Sequence, residues 1–218
     1  MSTQTPQTSV APDGAARRTR PVKLQMAELV IKTANYDRMC AWYEHLLGHG
    51  PFFTRLPDPD QPPRPAGMPE RAVDVRLAFF EIHDNGHPHH QTLGIFGIDS
   101  LAGVQRSGSG LHHFQFGVDG LKELITQYDH MMAAGSVPHR VANHGQATSF
   151  YFTDPDGNII EFSCSNFPTW EKEAAFMASP AFAGNPSGLE LDHADFARRY
   201  HSGEPRESLL SLEPKGSA

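Results

Sequence analysis

Three side chains in one short stretch could do chemistry together: His144, Tyr151 and Glu161 of HGQATSFYFTDPDGNIIEFSC, residues 144–164. Imidazole carries protons near neutral pH and ligates metals. A carboxylate ligates divalent ions, and a phenol can donate to an oxygen as charge develops on it. Spacing decides whether they meet. Successive side chains of a strand point to opposite faces, so Ser149, Tyr151 and Thr153 share one face and Ile159, Glu161 and Ser163 share another. Between the two runs, Asp154-Pro155-Asp156-Gly157 has the residue types of a type I turn, with the glycine free to take positive φ as a bulge. If Asp154 and Asn158 close that turn, Tyr151 lies opposite Glu161 and His144 enters the same hairpin. The same residues would also suit a surface hairpin carrying a solvated carboxylate.

Composition excludes more than it identifies. The 218 residues suit one domain or a pair of small modules with a sizeable core. A net charge of −7 with no basic face argues against nucleic acid and anionic membrane as partners. The basic cluster Arg17, Arg18 and Arg20 sits in a polar N-terminal stretch, 1–20, that reads as a disordered tail. Two cysteines, Cys40 and Cys164, make neither a disulfide framework nor a zinc spacing. No apolar run approaches the roughly 18 residues of a membrane span, and the N-terminus lacks a signal-peptide core. A cytoplasmic, reducing compartment is expected. The 13 histidines gather in 83–90 (HDNGHPHH), at His112-His113 and in 139–144. Such runs suit metal binding, and also an ordinary exposed loop.

The elements that must position these residues occur twice. A strand candidate at 23–32 precedes a helix at 35–47, where Tyr36, Met39, Cys40, Tyr43 and Leu47 recur at helical spacing before Gly48. The proline-rich 57–69 predicts a long loop; strands follow at 73–82 and 92–98, then a Gly/Ser linker at 107–110. The second half runs strand (111–118), a helix marked by Leu121, Leu124, Ile125, Tyr128 and Met132, and three strands near 137–142, 148–153 and 158–163. The first strands of the halves lie about 85 residues apart, which points to a duplicated supersecondary unit. Two C-terminal helices are expected at 167–182 and 189–200, with the chain fraying over 206–218.

Two βαβββ units carrying AELVIKT, GLHHFQF and SFYFTDPDGNIIEF at corresponding places resemble the vicinal oxygen chelate superfamily, which includes glyoxalases, bleomycin resistance proteins and extradiol dioxygenases. The likeness is greatest to small catechol extradiol dioxygenases. It rests on the tyrosine ten residues before the glutamate, the His-Gly before the SFY strand, and the tail AGNPSGLELDHADFARRYHSGEP. The resemblance implies an α+β fold: a single domain over 21–205, with modules at 23–106 and 111–166 and a helical extension at 167–205. The modules would form a curved mixed-sheet half-barrel around a divalent metal. It further implies His113 and Glu161 as metal ligands. Strand alternation puts His113 and Gln115 on the face opposite His112, Phe114 and Phe116.

Two departures matter. The superfamily places a histidine where this chain has Glu28, so the implied ligand set is Glu28, His113 and Glu161. Non-haem Fe(II) oxygenases use two imidazoles and one carboxylate; a second carboxylate brings the first shell near neutrality and disfavours a dianionic catecholate. Ring-cleaving relatives also carry an acid/base histidine where alignment on Leu93-Gly94-Ile95 puts Gln91, with His90 one residue early. His144 and Tyr151 match the expected proton-handling and substrate-orienting residues, and His90 is a third candidate.

The implied function is ring cleavage of a catechol-like substrate held on Fe(II), with dioxygen as cosubstrate. One alternative is a Lewis acid isomerase or lyase of the glyoxalase type using Mn(II), Ni(II) or Zn(II), which Glu28 favours. Another is a non-catalytic protein that binds aromatic compounds. A homodimer or higher homo-oligomer is expected.

Overall fold

The repeated order of elements folds as two open mixed sheets. A computed structural model of the protein describes residues 26–57, 59–60, 62, 71–82, 91–104, 111–185 and 187–212. The first module comprises β1 (Glu28–Thr33), α1 (Tyr36–Leu47), β2 (Phe53–Arg55), β3 (Arg76–Ile82) and β4 (Gln91–Gly97). The second comprises β5 (His113–Gly117), α2 (Leu121–Ala133), β6 (Arg140–Asn143), β7 (Ala147–Thr153) and β8 (Ile159–Ser165). Beyond it lie α3 (Trp170–Met177), α4 (Pro180–Gly184), β9 (Leu189–Glu190), α5 (His193–His201) and α6 (Arg206–Leu209). Strand order is β1-β4-β3-β2 in one sheet and β5-β8-β7-β6-β9 in the other, and neither closes into a barrel. Each module's first strand runs parallel to its last, and the other neighbours are antiparallel. The α+β class and the paired modules are as expected.

One face of each sheet is committed to the helices. Met39, Tyr43 and Leu46 of α1 and Leu124, Ile125, Tyr128 and Met131 of α2 are buried in a core shared with both sheets. Ile31, Phe80, Leu93 and Ile95 enter it from the first sheet, and Phe150, Phe152, Ile160 and Phe162 from the second. The period of two then fixes what faces the other way: Glu28, Val30 and Lys32 on β1, and His113, Gln115 and Gly117 on β5. The duplication survives in atomic detail. His45 of α1 and His130 of α2, 85 residues apart, stack at 4.1 Å, and an Nε2 of each faces the carbonyl of the other.

The β7–β8 turn ties the modules together. Gly157 takes φ +83°, as the bulge requires, and Asp154 and Asn158 close the loop. The buried Asp154 carboxylate accepts from the backbone N–H groups of Asp156 and Asn158, from Asn158 Nδ2 at 2.6 Å, and from the phenol of Tyr43 at 2.9 Å. Tyr43→Phe leaves that buried charge one donor short. It should cost about 1.5–3 kcal/mol, read as a lower denaturant midpoint with unchanged slope.

The extension differs from its sequence expectation. The segment expected as one helix over 167–182 breaks at Ser179-Pro180, where Ser179 caps α4 and proline takes its first position. Three-residue β2 and two-residue β9 are too short to show a period. The stretch expected to fray after 205 contains α6, held by buried Leu209 and by Arg199, which forks onto Glu204 at 2.6 Å and reaches the Ser208 carbonyl. Most of the 57–69 loop and the 83–90 turn lie outside the described residues. Among the described residues no helix is long and apolar enough to cross a membrane.

Candidate active site

Strand register lines up a polar row across the second sheet. Gln115 on β5 pairs with Glu161 on β8, Glu161 with Tyr151 on β7, and Tyr151 with Arg140 on β6. Side chains opposite one another in a ladder share a face, so all four project away from the helices. His113, two residues before Gln115, joins them: its Nε2 lies 3.1 Å from Glu161 Oε2. Its Nδ1 faces that of His112 at 2.7 Å. His144 follows β6, and its Nε2 lies 2.9 Å from the Tyr151 hydroxyl. The row is graded in exposure. Glu161 (5%) and Tyr151 (7%) are buried, whereas His113 and Gln115 at the β5 edge are open.

This environment keeps the phenol protonated. Burial first, and then the charge of the neighbouring Glu161 carboxylate, pushes the Tyr151 hydroxyl up to about 12. The Arg140 guanidinium, 5.1 Å from the ring centroid, acts in the opposite direction but is itself paired with Glu190 at 2.8 Å. Tyr151 is therefore a donor throughout the neutral range. In metal-free protein, folding favours the neutral phenol, so its contribution is whole below the unfolded value and lost as pH climbs through the folded one. About 2–3 kcal/mol should disappear between about pH 10 and 12. Tyr151→Phe should flatten that part of the stability profile, measured by denaturant unfolding alongside tyrosinate absorbance.

Glu28, the third ligand that the resemblance implies, lies in the first sheet rather than on the polar row of the second. It heads β1 and is exposed, and among the described residues no three His, Cys, Asp or Glu side chains gather at metal-binding spacing. A carboxylate at a strand end is well solvated there, whereas the buried Glu161 is met by His113 Nε2 at 3.1 Å. The repeat adds a second observation. Val30 pairs with Gly94 as Gln115 pairs with Glu161, so the first module has glycine at the counterpart of the Glu161 position. A side chain at 94 would press on Val30 and Phe79 at 3.1 Å.

His90 lies outside the described residues. Gln91 shares the face of Leu93 and Ile95, turned towards the helices, so it does not stand in for an acid/base group on the open face. Sequence reasoning missed His112 and Arg140. His112 was assigned to the opposite face by alternation, but it precedes β5, where the alternation does not apply. Arg140 could have been found by extending the Tyr151 register one strand further. A cavity of about 550 Å³ near Lys32, Asn35, Leu101 and Asp156 has no imidazole in its lining, and Asp156 there bonds Asn35 at 2.6 Å.

A family model described as the Glyoxalase/Bleomycin resistance protein/Dioxygenase superfamily matches residues 25–162. The chain belongs to that superfamily. Among its relatives is biphenyl-2,3-diol 1,2-dioxygenase 2 of Rhodococcus globerulus, 26% identical over 194 residues, covering 86% of this chain and 87% of that protein. Biphenyl-2,3-diol 1,2-dioxygenase 3 of the same organism is 25% identical over 187 residues with the same coverage. A solved glyoxylase/bleomycin resistance protein/dioxygenase domain from Frankia sp. EAN1pec shares the fold, with a TM-score of 0.51 at 14% identity over 68% of this chain and 96% of that one. In this superfamily member the matched region holds every residue of the polar row and stops just after Glu161.

Proposed function

We propose that the protein is an extradiol-type dioxygenase that cleaves a catechol-like aromatic ring beside its two adjacent hydroxyls. The observation that carries this is the continuous row His113–Glu161–Tyr151–His144. It sets a metal-ligating pair against a protonated phenol and an imidazole on one sheet face. Similarity to two biphenyl-2,3-diol dioxygenases along most of the chain supports it.

His113 and Glu161 fit a divalent ion. Two donors each about 2.1 Å from one ion and about 90° apart lie about 3.0 Å from each other, and these two atoms are 3.1 Å apart. The β5 end of the row, with His113 and Gln115 exposed, leaves room for a third ligand and for two substrate oxygens and dioxygen. When bound, the ion, Fe(II) by this reading, holds those groups together and carries the redox chemistry. The protein handles protons and position. Tyr151 donates to a ring oxygen, and His144 Nε2, bonded to the same phenol, takes up or returns a proton as the substrate ionises. Burial of Tyr151 and Glu161 keeps water from competing for those hydrogen bonds.

The test is oxygen consumption by protein purified anaerobically and loaded with Fe(II), across a panel of catechols that includes biphenyl-2,3-diol. Uptake stoichiometric with catechol supports the proposal. Tight catechol binding without uptake would favour the binding-protein reading. Turnover without uptake, with Mn(II), Ni(II) or Zn(II) as effective as Fe(II), would favour a Lewis acid enzyme.

A further inference from the structure

The backbone around His144 is held on one side by β7, where its N–H donates to the Ala147 carbonyl at 2.9 Å, and on the other by residues that follow the family-model match. Asn143, fully buried, donates from Nδ2 to the Leu210 carbonyl at 2.8 Å. Its Oδ1 accepts from the Gly145 N–H and from Asn166 Nδ2, both at 2.9 Å. Asn166 Nδ2 also donates to the Gly145 carbonyl at 3.1 Å, so one amide bridges the residues on either side of His144. Asn166 is fixed in turn: its Oδ1 accepts from Thr148 Oγ1 at 2.8 Å and its carbonyl from Arg206 Nη2 at 2.9 Å.

Packing converges on the same tripeptide. Gly145 has φ +83°, and the ring of Phe176 on α3 occupies the space a side chain would need there. Gly188, just before β9, lies so close that a Cβ would stand 2.6 Å from the Asn143 carbonyl oxygen and 2.8 Å from His144 Cα. Its strand is latched across β6 by Arg140, through Glu190 and the Ser187 carbonyl, each at 2.8 Å. Asn166, Phe176, Gly188, Arg206 and Leu210 all follow residue 162, where the superfamily match ends.

We infer that the contacts which the segment after β8 makes to residues 143–145 are a positioning device that holds His144 against the Tyr151 hydroxyl, with Asn143, Asn166 and Gly188 as its working members. The inference rests on the proposed role of His144 and Tyr151 in proton handling. Its logic is geometric. A backbone clamped on both flanks cannot drift, and a displacement of about 1 Å at a reacting group can cost about 100-fold in rate. A cap over a hydrophobic opening would not need a buried Asn143 and a half-buried Asn166 aimed at one tripeptide.

Two variants test it. Asn166→Asp keeps the bond from Thr148 but loses both bridging donations and sets a carboxylate against two oxygens. Gly188→Ala forces a methyl into the Asn143–His144 backbone. Each should lower kcat about 10- to 100-fold while KM and Fe(II) content stay within about 2-fold. In each, the nitrogen-15 resonance of His144 Nε2, assigned by long-range proton correlation, should leave its hydrogen-bonded position. Asp192→Ala, which removes the α5 N-cap bond to Asp195 at 2.7 Å, serves as the control. It should lower Tm by about 2–4 °C and leave kcat and the resonance alone. An unmoved resonance in both test variants would overturn the inference, as would an equal loss of kcat in the control. If wild-type protein turns over no catechol, the proposed function fails, and the resonance still decides whether the extension positions His144.

Discussion

Glu161→Gln should all but abolish metal binding while leaving the fold intact. The substitution preserves shape in a buried place but replaces an anionic donor with a neutral amide. Loss of an outer-sphere partner typically weakens a metal site about 10- to 100-fold, and loss of a ligand should exceed about 100-fold. His113→Gln should behave the same way, because its Nε2 and Glu161 Oε2 form the one donor pair placed at ligand spacing on the row. Glu28→Gln is the informative contrast. Exposed at the head of β1 and outside any three-donor group among the described residues, Glu28 should change metal affinity by less than about 10-fold when neutralised. Metal titration of the three variants, with circular dichroism as the check on folding, reads all of this. A loss at Glu28 as large as at Glu161 would restore the three-ligand centre.

Tyr151→Phe should separate metal binding from turnover. The phenol bonds His144, and Tyr151 stands opposite Glu161 in the ladder, beside the ligand pair. Removing the hydroxyl should lower kcat by about 10²–10³, the range for a lost proton donor or oxyanion partner, with metal content unchanged. His144→Gln should cost a similar amount. Because the two groups act through one hydrogen bond, the double variant should be little worse than the more damaging single one. Multiplying losses would mean that the residues act independently.

The hairpin was legible in the sequence because its constraints are local: a period of two, a turn whose residue types specify its geometry, and a fixed count from Tyr151 to Glu161. The helices and the duplicated modules were legible for the same reason, since apolar spacing within each half suffices. What the sequence hid was long-range. Strand alternation put His113 on the face opposite Phe114 and Phe116 but says nothing about which other side chains that face brings to one ion. Asn143 looked like an ordinary strand residue, because its partners, Asn166 and Leu210, lie 23 and 67 residues away. Gly188 carries no signal until β9 is seen lying against β6. The first part of the stretch expected to fray, 206–209, is helical because Arg199 and Leu209 are buried, which composition alone does not reveal.

The most direct test of the central claim is the fate of dioxygen. Fe(II)-loaded protein should be given a catechol under oxygen-18 gas and the product weighed by mass spectrometry. Ring cleavage predicts a ring-opened product carrying both labelled atoms, with no yield from Glu161→Gln and a greatly reduced yield from Tyr151→Phe. A product of unchanged mass, or a catechol recovered intact from a tight complex, would contradict the dioxygenase reading.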